Sequence, residues 1–229
     1  MAARQSLLLI QFARVPIAGQ VKTRLIPALG AHLAADLHCS MVLRTLGTLG
    51  SSGLGPVQLW LTGDDAGGWL SQIDPGAVLK TREQVGSNLG ERMEAAFAHG
   101  LLDYEKVVLV GSDAPAITQD YLQQAAAALD NTDVVFGPAI DGGYVLLGMR
   151  RACAGWLQGV SWGTSVVLEQ SQSAAGCYGL THASLEALPD IDVAEDLRWL
   201  PQDFRSLQVD GTQALALSAR LAELAAARD

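Results

Sequence analysis

The chain has 229 residues and a formal net charge of −9, and 49% of its residues are apolar. This apolar content supports a sizeable core and excludes a disordered chain, and the acidic balance argues against nucleic acid as the main partner, since duplex binding needs a basic face. No apolar run approaches the ~20 residues that span a bilayer. The composition therefore predicts a soluble cytoplasmic protein with no membrane partner.

Apolar runs of strand length alternate with helical patterns along the chain. The predicted strands are Ser6–Ala13, Pro56–Gly63, Lys106–Asp113, Asp133–Ala139 and Gly142–Met149. The predicted helices are Ala31–Leu49, Asn88–Leu102, Thr118–Asp130, Gly163–Ala174, Val193–Gln202 and a final one from Thr212, with Asn88 and Thr118 as N-caps. The cluster Gly47–Pro56 is interpreted as a loop between a helix and a strand.

This alternation predicts an α/β fold in which a mostly parallel sheet is covered on both faces. With no repeat, linker or low-complexity tract, residues 1–229 are interpreted as one domain. Ligands bind at the carboxyl ends of the strands in such sheets. The stretches RVPIAGQVKTR, GSDAP, GPAIDGGY and PDIDVAED all follow predicted strands, so we expect them to converge at one edge.

Lys22 and Arg24 follow the first strand in a chain that has only three lysines. Two interpretations stay open at this point: a solvated pair of surface cations, or a site for phosphate groups. An acidic protein that binds an acidic ligand needs local cations, and Arg can grip two phosphate oxygens at once. We expect this loop to be extended or mobile in the absence of ligand.

Asp113 ends the strand of VVLVGSDAP, beside the small residues Gly111 and Ser112. It either caps a turn or holds Mg²⁺ or Mn²⁺, hard cations that prefer oxygen ligands. In DIDVAEDL, Glu195 and Asp196 fit the first turn of a short helix and are interpreted as structural. Asp192 is the better second metal ligand, with helix capping as its alternative.

The stretch GPAIDGGYVLLG joins two predicted strands through Asp141, Gly142 and Gly143. Asp-Gly is a common hairpin turn, but a glycine pair beside a carboxylate also lets backbone approach a bound sugar or phosphate. Trp162 precedes a predicted helix and is a candidate for a single sugar contact. The four histidines, His38 among them, have no zinc-ligand spacing and are interpreted as surface or packing residues.

Several motifs in a fixed order resemble a known group. VKTRLIPALG, NLGERM, GSDAP, GPAIDGGYVLLG, SWGTS and DIDVAEDL resemble the nucleotide-diphospho-sugar transferase superfamily with the GT-A fold. Within it, the chain is similar to the bacterial radical-SAM/selenodomain-associated transferases, also called arsenosugar biosynthesis glycosyltransferases. VKTRL and DIDVAEDL are also similar to segments of 2-phospholactate guanylyltransferase and molybdenum-cofactor guanylyltransferase.

The resemblance implies a single three-layer, Rossmann-like GT-A domain with a mostly parallel mixed sheet. Lys22 and Arg24 would bind the phosphates of a nucleotide donor, and Asp113 with Asp192 would hold Mg²⁺ or Mn²⁺. Asp141, Gly142, Gly143 and Trp162 would contact substrate. Catalysis would rest on positioning and electrostatic stabilisation.

Three functions fit these expectations. One is nucleotidyl transfer from a nucleoside triphosphate to a phosphorylated acceptor, which is narrowly preferred because of the cationic loop and the second aspartate. Another is glycosyl transfer from a nucleotide-diphospho-sugar. The third is a nucleotide-binding protein without catalysis. The sequence leaves the base, sugar, acceptor, choice of metal and oligomeric state open.

Overall fold

The computed structural model describes residues 4–72 and 80–201, in which seven strands form one sheet. Its order is β3-β2-β1-β4-β6-β5-β7. The strands are β1 Gln5–Arg14, β2 Val57–Thr62, β3 Lys80–Glu83, β4 Tyr104–Val110, β5 Val134–Pro138, β6 Tyr144–Met149 and β7 His182–Ser184. β6 pairs antiparallel with both of its neighbours, and the other pairings are parallel.

Helices cover both faces of the sheet. They are α1 Ile26–Leu29, α2 Ala31–Ser51, α3 Leu89–Asp103, α4 Gln119–Ala128 and α5 Val167–Cys177, with 3₁₀ turns at Thr23–Leu25, Trp69–Gln72 and Ala194–Trp199. Alternation along β1 sends Leu7 and Leu9 to one face, where α2 and α4 pack. Leu8 and Ile10 point to the other face, where α3 and α5 pack. The expected three-layer α/β fold with a mostly parallel mixed sheet is confirmed.

The nine long elements expected from Ser6 to Ala174 are all present, and both proposed N-caps are confirmed. The Asn88 side chain accepts from the backbone N–H of Glu91, and Thr118 accepts from that of Tyr121. Two expectations need correction: α2 continues to Ser51, so the loop is shorter, and the helix after Val193 is a 3₁₀ turn. The final helix from Thr212 lies outside the described residues.

Two edge strands and the short helical segments at Thr23–Leu29 and Trp69–Gln72 were not expected from the sequence. β3 and β7 have only four and three residues and carry mostly exposed polar side chains, so neither shows an apolar pattern. Within the described residues, no helix is both long and apolar enough to cross a membrane.

Candidate active site

A cavity of about 590 Å³ opens at the carboxyl ends of the strands. The charged residues that line it are Arg14, Lys22, Arg24, Arg92, Asp113, Asp141, Asp190 and Asp192. Seven of these eight residues come from the four stretches that were expected to converge, and Arg92 comes from α3, so the expected convergence is confirmed. The volume falls in the ~300–1,000 Å³ range of small-molecule sites.

Lys22 is a buried cation whose side chain is the centre of the site. Its Nζ donates to the carbonyl oxygen of Ile191 at 2.5 Å, and it lies 2.8 Å from Asp113 Oδ1 and 4.0 Å from Asp192 Oδ1. Among the described non-glycine residues, Lys22 alone has a positive φ, +47°. This left-handed conformation costs about 1–2 kcal/mol, so the surrounding contacts must stabilise it.

Apolar packing holds the segment that follows Lys22. Leu25 and Leu29 are buried against Leu37 and Met41 of α2, together with Ile191. This burial favours a compact turn, and residues Thr23–Leu25 form a 3₁₀ turn. The expectation of an extended loop is therefore wrong: the apolar residues inside VKTRLIPALG anchor the segment to α2.

Arg24 points outward from this turn. Its side chain is 68% exposed, and Nη1 donates to Asp192 Oδ2 at 2.5 Å. Lys22 and Arg24 thus differ in burial, but both side chains lie within 4.0 Å of the Asp192 carboxylate. The interpretation as two equivalent surface cations fails for Lys22, whose side chain is only 4% exposed.

Asp113 joins the end of β4 to the segment that carries Asp192. Its backbone carbonyl accepts from the N–H of Ile191 at 2.8 Å, and its side chain pairs with Lys22. Desolvation raises the pKa of Asp113, but the charge of Lys22, its hydrogen bond and the smaller effect of Arg14 outweigh it, so the pKa is lowered. The carboxylate stays ionised, and 49% of the side chain is exposed to the cavity.

Asp192 does not cap the 3₁₀ turn that follows it. That role belongs to Asp196, whose Oδ2 accepts from the backbone N–H groups of Asp192 and Val193 at 2.9 and 2.8 Å. The structural interpretation of Asp196 is confirmed. The Asp192 carboxylate is left to face Arg24 and Lys22, and it is 41% exposed.

Asp141, Gly142 and Gly143 form the turn between β5 and β6. Asp141 Oδ1 accepts from the N–H of Gly143 at 2.8 Å, and both residues line the cavity. Gly142 has φ +94°, and a Cβ there would lie 2.0 Å from the carbonyl oxygen of Ser165. Gly142 is therefore required by the turn and its contact with Ser165, and it is not a cavity-lining residue.

Trp162 lies behind the cavity. Its ring packs edge-on against Tyr144, with centroids 6.3 Å apart, and Tyr144 is the residue that lines the cavity. A Cβ on Gly90 would lie 2.8 Å from the Trp162 ring, so the indole also contacts the first turn of α3. Trp162 thus contacts a residue that lines the cavity and is not itself among the lining residues, and its contact with a sugar stays a prediction.

His38 and Asp190 also line the cavity, and neither was selected as a site residue from the sequence. His38 is 5% exposed, with Nε2 3.0 Å from the carbonyl oxygen of Arg14 and Nδ1 4.0 Å from Asp113 Oδ1. Burial lowers the pKa of His38, since the opposing effect of Asp113 is smaller. Its position among Leu37 and Met41 gives it the pattern of a packing residue, so its carboxylate neighbour could not be inferred from the sequence.

Asp190 is the other residue. Burial first, and then the nearby charges of Asp141 and Asp113, raise the pKa of Asp190 to about 6. Its carboxylate lines the cavity with that of Asp141. The sequence signal was present, because Asp190 belongs to the acidic stretch that contains Asp192, but the burial and the neighbouring charges that set Asp190 apart come from tertiary packing.

The carboxylates suit a hard divalent cation with few protein ligands. Within residues 4–72 and 80–201 there is no cluster of three or more His, Cys, Asp or Glu side chains arranged to hold a metal. Asp113 and Asp192 nevertheless converge on one positive group, Lys22 Nζ, and both remain partly exposed. Two carboxylate oxygens completed by water and phosphate form a typical Mg²⁺ donor set.

Comparison with known proteins identifies the family. Residues 45–164 match the family model described as "Uncharacterized protein conserved in bacteria (DUF2064)". The chain belongs to this family. No curated protein matches it.

Solved structures extend this relationship. A protein from Desulfovibrio desulfuricans G20 with the provisional name nucleotide-diphospho-sugar transferase is 28% identical, with 97% of this chain and 96% of that chain covered and a TM-score of 0.81. The chain is accordingly a member of the nucleotide-diphospho-sugar transferase superfamily and a transferase-type enzyme.

More distant structures share the fold alone. A cytidylyltransferase from Leptospira borgpetersenii serovar Hardjo-bovis JB197 is 12% identical over 98% of this chain and 95% of that chain, with a TM-score of 0.56. The CMP:2-keto-3-deoxy-manno-octonic acid synthetase in complex with CTP is 10% identical over 85% of this chain and 96% of that chain, with a TM-score of 0.51.

Proposed function

We propose that the protein is a metal-dependent nucleotidyltransferase that transfers a nucleotide from a nucleoside triphosphate to a phosphorylated acceptor. An acceptor phosphate oxygen attacks the α-phosphorus, the bond to the bridging oxygen of the β-phosphate breaks, and pyrophosphate leaves. The observation that carries the proposal is the alternating charge network of Lys22, Asp113, Arg24 and Asp192 on one cavity.

This network is neutral as it stands, with two cations against two carboxylates. A nucleotide bound together with a divalent cation brings both signs of charge. Each cationic side chain can therefore leave its carboxylate partner for a phosphate, and each carboxylate can leave its cationic partner for the divalent cation. Lys22 and Arg24 then bind phosphate oxygens and stabilise the charge that develops on pyrophosphate. Asp113 and Asp192 hold the cation, and a bound Mg²⁺ would neutralise phosphate charge and align the reacting groups.

The other cavity residues position the substrates in this proposal. Arg14 and Arg92 add positive charge to the lining of the cavity, which favours entry of an anionic donor into an acidic protein. Asp141 and Gly143 belong to the turn between β5 and β6 and line the cavity, and an acceptor would approach this part of the wall. The phosphate contacts need no particular base, so they leave the choice of nucleotide to the rest of the cavity.

Glycosyl transfer is the second candidate, favoured by the name of the Desulfovibrio relative. Its donor would place a diphosphate on the same cations, and an acceptor would attack the anomeric carbon of the sugar. The two reactions differ in the group that leaves: pyrophosphate in one, a nucleoside diphosphate in the other.

The decisive experiment analyses these products. The protein is incubated with Mg²⁺ or Mn²⁺, each nucleoside triphosphate or nucleotide sugar, and pools of phosphorylated and hydroxyl acceptors. Acceptor-dependent pyrophosphate release supports nucleotidyl transfer, and release of a nucleoside diphosphate from a nucleotide sugar replaces it with glycosyl transfer. Binding without turnover of any donor would contradict both and leave a non-catalytic nucleotide-binding protein. In the same assay, Arg24→Ala should weaken donor binding, and Arg151→Ala is its matched control, because Arg151 is a half-exposed arginine paired with Asp133 away from the cavity.

A further inference from the structure

His38 is a buried polar residue at the cavity that the proposed reaction leaves without a role. It projects from α2, and its side chain is 6% exposed. The residues around it on the same helix, Leu37 and Met41, are fully buried apolar side chains. A polar group in such a position is stabilised only when its nitrogens find partners.

One ring nitrogen has a fixed role. Nε2 lies 3.0 Å from the carbonyl oxygen of Arg14, at the end of β1. A carbonyl oxygen can only accept a hydrogen bond, so Nε2 carries the proton. In the neutral ring, Nδ1 must then present a lone pair.

The other nitrogen faces the carboxylate of the site. Nδ1 is buried and has no hydrogen-bond partner among the described residues, and it lies 4.0 Å from Asp113 Oδ1. That distance is too long for a direct hydrogen bond. Two acceptors this close can, however, share one donor that has two hydrogens and lies within hydrogen-bond distance of both.

Lys22 is not that donor. Its ammonium lies 2.8 Å from the same Asp113 oxygen and donates to Ile191, yet it makes no hydrogen bond with His38. A water molecule has two hydrogens and suits a polar corner of this size. A water bound to a divalent cation is an especially strong donor, because the ion polarises its O–H bonds.

We infer that His38 is a positioning residue for Asp113: its Nδ1 lone pair and Asp113 Oδ1 together hold one water molecule, which belongs to the shell of the cation when nucleotide is bound. The contact fixes the orientation of the Asp113 carboxylate without neutralising it. Residues that orient metal ligands in this way commonly change metal affinity by about 10–100-fold when they are replaced. This inference rests on the proposed function for the cation-bound state.

Two substitutions distinguish the roles of the two ring nitrogens of His38. His38→Gln can keep an N–H donor near the position of Nε2, toward Arg14, but it lacks an acceptor near Nδ1. His38→Asn can keep an acceptor near Nδ1, but it cannot reach the Arg14 carbonyl. A purely structural histidine would be replaced better by Gln, and a positioning histidine would be replaced better by Asn.

The experiment is calorimetric titration of the full chain with inorganic tripolyphosphate and Mg²⁺, which supply the phosphate chain of a donor without a base. We expect His38→Gln to lose about 10–100-fold in affinity with a melting temperature near that of the wild type, and His38→Asn to lose less. Unchanged affinity in His38→Gln, or a larger loss in His38→Asn than in His38→Gln, would overturn the inference.

A spectroscopic measurement keeps this test separate from the proposed function. The ¹⁵N shifts of the His38 ring at neutral pH should show a proton on Nε2 and an unprotonated Nδ1 that accepts a hydrogen bond. A proton on Nδ1 would overturn the role of His38 whether or not nucleotide binds. If the wild type binds neither tripolyphosphate nor any nucleoside triphosphate with Mg²⁺, the proposed function fails while the ring shifts still decide the contact with water.

Discussion

The two sides of the cavity hold their carboxylates in different ways. On the paired side, Asp113 and Asp192 each contact a cation, Lys22 or Arg24. On the acidic side, Asp141 and Asp190 form no ion pair in the part of the chain that the structure describes, and the pKa of Asp190 is raised to about 6, first by burial and then by the charge of Asp141. The paired side has its charges balanced without a ligand, whereas the acidic side keeps carboxylates that no ion pair balances.

The largest expected effect is on the paired side. Asp113→Ala should abolish cation-dependent nucleotide binding and should also destabilise the fold by about 2 kcal/mol, because it leaves the buried Lys22 ammonium without its nearest counter-charge. Calorimetric titration and urea unfolding measure the two effects. Asp130→Ala is the control, since Asp130 pairs with the mostly buried Lys106 outside the cavity. Nucleotide binding in Asp113→Ala with unchanged cation dependence would make Asp113 a turn residue only.

Substitutions of the two cations of the paired side should differ in their effects on the unfolding free energy. Lys22→Met should lower the unfolding free energy by about 1–2 kcal/mol, since Lys22 is buried and bonded to Ile191 and Asp113. Arg24→Ala should lower it by less than about 0.5 kcal/mol, as for other exposed ion pairs. Both should weaken nucleotide binding. Equal stability losses in the two variants would contradict the buried placement of Lys22.

On the acidic side, the contribution of Asp190 to the unfolding free energy should change with pH in the direction opposite to that of a salt-bridged carboxylate. Because the folded-state pKa of Asp190 is about 6 and the ordinary value is 3.8, ionisation of Asp190 costs stability as the pH rises from about 4 through 6. Asp190→Asn should raise the unfolding free energy at pH 7.5 by on the order of 1 kcal/mol, discounted for partial exposure, and the gain should vanish near pH 4.

Urea unfolding in EDTA at pH 4, 5 and 7.5 tests this expectation. The exposed Asp64 provides the control variant Asp64→Asn. A gain from Asp190→Asn that stays constant from pH 4 to 7.5 would show that Asp190 titrates normally in the folded protein.

The contrast also shows what the sequence could predict. β1, β4 and the β5–β6 hairpin follow from apolar runs bounded by turn residues, and their ends place Lys22, Asp113 and Asp141 at one edge of the sheet. The pairing of Lys22 with Asp113 could not be predicted, because it depends on a left-handed backbone conformation and on the tertiary packing of Leu25 and Leu29.

Residues that resemble packing positions were missed for the same reason. His38 lies in a regular apolar helix pattern, and only the tertiary packing of α2 brings its ring to Arg14 and Asp113. Local patterns thus predict which strand end a side chain follows. They do not predict which charge it meets across the sheet edge.

The most direct test of the central claim, that cations and carboxylates exchange partners when donor binds, is a crystal structure with a nucleoside triphosphate and Mn²⁺. The anomalous signal of manganese marks the ion. We expect a peak within coordination distance of an Asp113 oxygen, with Lys22 Nζ moved to a phosphate oxygen. An ion bound between Asp141 and Asp190, with Lys22 still paired to Asp113, would contradict it.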